Sequence, residues 1–438
     1  MRRRRWQIRG LRSRRVHVFD SVEVTSMGAP EVDPASVGLA PDAVEAIWSA
    51  VVDFYNTGFH PALGLCIRRR GKVILDRTIG HARGNAPGAS GEHELVLATP
   101  RTLFNFFSGS KSVTAMLIHL LAQRQALHVD EPIATFIPEF GRHRKDGITI
   151  RDLLTHRGGI PAAPSDAVDL DMLEDPRQLL ELIYELRPTY EPGTVPAYHA
   201  VTSGFVFAEL VQRITGSDIR RFLHEEISKP LSMTHFNYGL PPERLHEAAH
   251  DACTGPRLVW PFKDIFDRSL GISVDELIEL SNDPRFRTGI IPSANLFGTP
   301  NDICRFFELL VSGGELDGMR VFRESTIRRA IAPQTPWQLD RMILLPMSYS
   351  MGFMLGTDPV GLYGFRCGHA FGHVGLSNIL AWADPARDIS VALMNSGKPL
   401  VALDTAYWPE IVRRISTRIP RDGGRLKSTL FATEKKRS

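Results

Sequence analysis

The chain has 438 residues, 43% of them hydrophobic and 23% charged, enough to bury one large core or two moderate ones, which excludes a disordered or fibrous polymer. The formal net charge is +3, but residues 1–15 (MRRRRWQIRGLRSRR) hold eight arginines and no acid, leaving the remainder mildly acidic at −5. A body of that sign excludes a specific nucleic-acid-binding stripe, and the absence of a long unbroken apolar run excludes a transmembrane helix.

In chain order, residues 1–34 read as a basic, disordered arm. Its arginine cluster suits a weak contact with an anionic membrane surface. No apolar segment of a signal peptide follows before Met27, itself an alternative start, so a cytoplasmic location is expected. Residues 41–57 (PDAVEAIWSAVVDFYNT) have helical spacing. Residues 63–80 (LGLCIRRRGKVILDRTIG) read as two strands around a basic turn. Residues 106–123 (FFSGSKSVTAMLIHLLAQ) form an apolar helix opened by a serine and a lysine three residues apart. Further helices are announced by caps at Asp130-Glu131-Pro132 and at Thr299-Pro300-Asn301-Asp302. Residues 376–397 (LSNILAWADPARDISVALMNSG) read as a second strand pair around Asp384-Pro385. Residues 404–415 read as a helix whose start Pro409 delays, and residues 419–438 as a polar, basic tail. The four cysteines, Cys66, Cys253, Cys304 and Cys367, are widely spaced, which gives neither a zinc knuckle nor a disulfide framework and fits a reducing compartment.

The expected fold class is therefore α+β, an α/β sandwich. Its antiparallel sheet is built from N- and C-terminal strands (residues 35–105 and 345–418), flanked by helices and interrupted by a large, mostly helical part at residues 106–344.

The chemistry-bearing motif is Ser108-Gly109-Ser110-Lys111. One helical turn brings Ser108 and Lys111 to the same face. A buried amine kept partly neutral can take the serine proton, and the helix N-terminus favours the developing anion. An isolated S-x-x-K is equally well a helix cap followed by a snorkelling lysine, so the surrounding motifs decide. The run from Phe104 to Phe140 resembles the S-x-x-K region of the β-lactamase-like serine hydrolases, which include penicillin-binding proteins, class C β-lactamases and S-x-x-K carboxylesterases. Residues 148–161 (ITIRDLLTHRGGIP), 191–216 (EPGTVPAYHAVTSGFVFAELVQRITG), 291–322 (IPSANLFGTPNDICRFFELLVSGGELDGMRVF) and 371–378 (FGHVGLSN) resemble its later segments, in order.

The resemblance implies Ser108 as nucleophile, Lys111 as its base and Tyr198 as a partner in proton transfer, its phenolate favoured by the lysine charge. It also implies backbone amides of Ser108 and Leu376 as an oxyanion hole, and His373, Gly375 and His199 beside the substrate, with no cofactor and no metal. The tyrosine motif, Tyr198-His199-Ala200, lacks the asparagine used by members that act on β-lactams. His373-Val374-Gly375 replaces lysine-threonine-glycine, removing a cation for the β-lactam carboxylate. Both departures favour the carboxylesterase branch and a small-molecule ester substrate. A β-lactamase or D-Ala-D-Ala-processing enzyme, an acyltransferase and a non-catalytic binding module are the alternatives. There is no G-x-S-x-G elbow. The rival motif, His246-Glu247-Ala248-Ala249-His250, has the H-E-x-x-H spacing of zinc peptidases, but its short, proline- and glycine-bounded segment reads as a solvated helix, with Glu276 or Glu279 as the available third ligand.

Overall fold

The computed structural model describes residues 14–89, 94–161, 170–257, 263, 272–399 and 407–422. The strands that position the site are β1 (Thr25–Met27), β2 (Ala62–Arg69), β3 (Lys72–Arg83), β4 (Val96–Leu97), β5 (Phe104–Asn105), β6 (Phe236–Tyr238), β7 (Leu296–Gly298), β8 (Met354–Leu355), β9 (Phe371–Val374), β10 (Leu380–Asp384) and β11 (Ile389–Asn395). The principal helices are α1 (Ala43–Tyr55), α2 (Ser110–Gln123), α3 (Thr202–Thr215), α4 (Pro300–Val311) and α5 (Tyr407–Arg418). As the sequence indicates, strands from both ends join in one antiparallel sheet, in the order β1-β3-β2-β11-β10-β9-β8 with β4 beside β3. Its centre is the β2–β11 pair, where Leu65 faces Leu393 and Cys66 faces Ala392.

Both faces of the sheet are covered, which is why its strands read as nearly continuous apolar runs. On one face Leu63, Leu65, Ile67, Leu380, Trp382, Val391 and Leu393 meet α1 and α5. On the other, the alternate positions are small: Ala62, Cys66, Ala381, Ala383 and Ala392. This lets α4 lie close; a Cβ on Gly64 would stand 2.7 Å from the Pro300 ring. The period of two thus sorts bulk to one helical layer and closeness to the other.

Local signals explain most boundaries. Arg70 and Gly71, at φ +50° and +80°, make the tight β2–β3 turn. Thr299 caps α4 by accepting from Asp302 N at 3.0 Å, with Pro300 as the first helical residue. The expected C-terminal helix starts at Tyr407, with Pro409 in its first turn; residues 404–406 of that expectation lie outside the described residues.

Three expectations need correction. After Asp130-Glu131-Pro132 only a single 3-10 turn forms, Ile133–Thr135, because Pro138 forces Ile137 out of helical geometry (φ −128°, ψ 80°). The arm is shorter than expected, since residues 14–34 belong to the fold. Val16 and Val24 are buried, β1 pairs with β3, and Glu31 binds Arg77 at 2.6 Å. Likewise Ile419 is buried and Asp422 pairs with Arg69 at 2.9 Å, so the start of the expected tail is packed; residues 1–13 and 423–438 lie outside the described residues.

Among the described residues no helix is long and apolar enough to cross a membrane. Thr299→Ala should lower unfolding stability by about 1–2 kcal/mol, as loss of a capping hydroxyl does. Urea denaturation followed by far-UV circular dichroism measures it, and an unchanged midpoint would count against the cap.

Candidate active site

Ser108 sits where the short sheet β5–β7–β6 hands the chain to α2. β5 ends at Asn105, whose Oδ1 accepts from Phe107 N at 2.9 Å. Phe107 then adopts φ +45°, a left-handed conformation that costs a bulky residue about 1–3 kcal/mol. The 3-10 turn Phe107–Gly109 presents Ser108 half-exposed. Gly109 is required there, since a Cβ would lie 2.1 Å from the Phe106 ring. Ser110 fixes the turn, donating to Phe107 O at 2.5 Å and accepting from Leu296 N at 3.0 Å.

Lys111 Nζ stands 3.2 Å from Ser108 Oγ and donates to the Ser293 carbonyl at 2.9 Å. It lies 4.9 Å from the centroid of the Tyr198 ring, and Ser108 is close enough to Tyr198 to favour ionisation of its hydroxyl. Burial, with no carboxylate paired to it among the described residues, lowers the lysine pKa to about 7. Near neutrality a large share of Lys111 is therefore the free amine.

The expected phenolate is not borne out. Burial pushes the Tyr198 hydroxyl above its ordinary value, with the Ser108 contact pulling the other way. A lysine that is itself largely neutral supplies too little positive charge to reverse that, so Tyr198 is a phenol, able to donate a proton.

β9 packs against the Ser108 turn. The approach is close at Gly375, where a Cβ would stand 2.7 Å from Phe106 O and 2.8 Å from Ile379. Leu376 follows, half-buried, and Ser377 and Asn378 are both left-handed, at φ +54° and +67°. Ser108, Lys111, Tyr198, Gly375 and Leu376 are thus brought to one place.

The two histidines expected beside the substrate are both enclosed. His199 is fully buried, and its Nε2 accepts from Ile160 N at 3.3 Å. His373 is 1% exposed, and its Nδ1 donates to Val374 O at 2.8 Å. Both are neutral imidazoles, their pKa values lowered to about 3 mainly by burial.

Several supporting groups were not singled out as site residues from the sequence. His156, at φ +58°, packs 4.6 Å from the Tyr198 ring, and its Nδ1 accepts from His199 N at 3.2 Å. Asp340 Oδ1 accepts from Tyr198 N at 3.1 Å while Oδ2 accepts from the Tyr349 hydroxyl at 2.9 Å. The Ser293 acceptor is a backbone carbonyl, which any residue type supplies.

The rival motif does not form a metal helix. Residues Pro242–Glu247 are a 3-10 turn, and Ala248 is extended (ψ 141°), so His246 and His250 do not share a helical face. Glu247 is paired with Arg244 at 2.7 Å. Among the described residues no three His, Cys, Asp or Glu side chains group as a metal set. Residues 258–262 and 264–270, in a loop whose sequence marks it as a pocket-wall candidate, lie outside the described residues.

Gly375→Ala should slow acylation of Ser108 roughly 100-fold, the usual scale for a displacement of about 1 Å, with the fold retained. Intact-mass timing of fluorophosphonate labelling reads it, and wild-type kinetics would rule out the close approach.

Known proteins place this geometry. The chain is 28% identical over 336 residues to the esterase/beta-lactamase LipL of Mycobacterium tuberculosis, covering 70% of this chain and 73% of that protein. It is 25% identical over 360 residues to a putative D-alanyl-D-alanine carboxypeptidase of Escherichia coli, covering 78% and 79%. A solved family VIII carboxylesterase superposes with a TM-score of 0.72 at 23% identity, over 86% of this chain and 98% of the other. Residues 49–412 match the sequence profile of the Beta-lactamase family, and the chain belongs to that family of serine hydrolases.

Proposed function

We propose that this protein is a carboxylesterase acting on short to medium acyl esters through an acyl-enzyme on Ser108. The observation that carries the reading is the buried amine of Lys111, poised near neutrality 3.2 Å from the Ser108 hydroxyl. Ser108 Oγ attacks the ester carbonyl as its proton passes to Lys111. The amides of Ser108 and Leu376 receive the oxyanion. Collapse of the tetrahedral adduct breaks the ester C–O bond, and the alcohol leaves with a proton from Lys111 or from the phenol of Tyr198. Water then attacks the acyl-enzyme, giving the acid and restoring the serine.

Specificity follows from what surrounds Tyr198. Met342, Ile343, Met347, Met354 and Val374 pack around it with Ala200, an apolar and adaptable wall suited to an acyl chain. Ala200 offers no amide, and His373 no exposed cation, for a β-lactam. A second reading, slow acylation by β-lactams, is favoured by the double name of the mycobacterial relative. The free thiols of Cys66, Cys253, Cys304 and Cys367 support a cytoplasmic setting.

With a chelator present throughout, Ser108→Ala should lose p-nitrophenyl butyrate hydrolysis by roughly 10⁴-fold or more while remaining folded. Equal rates in the two proteins would remove Ser108 from the mechanism, and a chromogenic cephalosporin in the same assay separates the second reading. Because the base must be unprotonated, kcat/KM should rise with pH through about 7 and then level off, since Tyr198 ionises only well above that range. A profile flat from pH 5 to 9 would exclude Lys111 as the base.

A further inference from the structure

A second buried lysine lies within reach of the reacting turn. Lys398 follows β11, its side chain wholly enclosed. Its ammonium has an acceptor for each of its three protons: Asp251 Oδ1 at 3.0 Å, the Asn395 carbonyl at 2.8 Å and Asn395 Oδ1 at 3.1 Å. It also stands 4.8 Å from the centroid of the Phe107 ring, a cation–π contact with the residue before Ser108.

The Asn395 amide carries the effect to the other side of the cleft. With Oδ1 turned to the ammonium, Nδ2 faces away and donates to the Ser377 carbonyl at 2.8 Å. Ser377 Oγ in turn donates to the Pro399 carbonyl at 2.6 Å. One cation therefore touches the residue before Ser108 and, through a single amide, the residue after Leu376. Both segments are left-handed, at Phe107, Ser377 and Asn378, conformations that persist only where surrounding contacts over-determine them. Asp251 is itself anchored, accepting from Ser281 Oγ at 3.2 Å, and Lys398 N donates to the Ala252 carbonyl at 3.0 Å.

We propose that the Lys398–Asp251 pair, acting through Asn395 and the Phe107 ring, is a positioning device that holds the two halves of the oxyanion hole at a fixed separation. The proposal rests on the reading of Ser108 as nucleophile and of the Ser108 and Leu376 amides as that hole. An ion pair serving only the fold would touch neither strained segment, and its loss would show in stability alone.

Two variants separate these roles. Asn395→Ala keeps the ion pair and cuts the link to Ser377. The double variant Lys398→Met with Asp251→Asn removes both charges together, so that neither is left buried and unpaired. Each is compared with wild type for kcat and KM on p-nitrophenyl butyrate, for the rate of Ser108 labelling by a fluorophosphonate, and for melting temperature, with rates normalised to folded protein. The expected result is a kcat lower by roughly 10- to 100-fold, below the full cost of losing an oxyanion donor, with KM unchanged and labelling slowed by the same factor. Folded variants with wild-type kcat and labelling overturn the positioning role while leaving Ser108 as nucleophile. A wild-type protein that neither turns over the ester nor labels at Ser108 overturns the reading of the site, and the proposal with it.

Discussion

Everything at the cleft depends on the desolvation of one amine. Lys111 is held by a carbonyl, a serine hydroxyl and the face of a tyrosine, with no carboxylate paired to it among the described residues. Water would have solvated its charge; the interior does not, and the proton affinity falls to about 7. The surrounding imidazoles follow the same logic. His156, His199 and His373 are all driven toward the neutral form by burial, and the lysine charge opposes their protonation too. The result is a desolvated chamber behind the Ser108 hydroxyl, in which a developing negative charge is worth more than it would be in water.

Lys398 is the counterpoint. It is equally buried, but Asp251 opposes the lowering of its pKa, and its three protons all have acceptors. In the proposed mechanism one fold thus uses the same side chain as a base and as a fixed cation, and what distinguishes the two is the carboxylate beside Lys398. Asp340 shows the opposite economy of an acid. It bonds the Tyr198 and Met342 amides and the Tyr349 hydroxyl and so orders the wall around Tyr198.

How much of this could be read from sequence depends on the range of the interaction. The Ser108–Lys111 pairing is a one-turn relation, and helix geometry alone delivers it. The central strands were legible because both faces are buried and the middle of each run is apolar. The cap of α4 was legible because Thr299, Pro300 and Asp302 are neighbours. By contrast, the failure of a helix after Pro132 was written in Pro138, six residues on. The inward turn of His199 and His373 depends on backbone partners, Ile160 and Val374, which no residue type announces. Asp340 and Lys398 are remote in sequence from the serine they serve, and a lone Asp or Lys carries no periodic signal. The phenolate expected at Tyr198 erred in sign because proximity to a lysine says nothing about whether that lysine is charged.

The pairing of β2 with β11 has a consequence for synthesis. The two central strands are more than 300 residues apart in the chain, so the sheet cannot close until the last part of the polypeptide has left the ribosome. Before then α2, buried along nearly its whole length in the finished fold, emerges without β9 to pack against. The nucleophile, its base and Tyr198 are translated well before β9 and Lys398, which complete the cleft. On the proposed mechanism, a nascent or C-terminally clipped chain therefore carries Ser108, Lys111 and Tyr198 without the strand that completes their cleft.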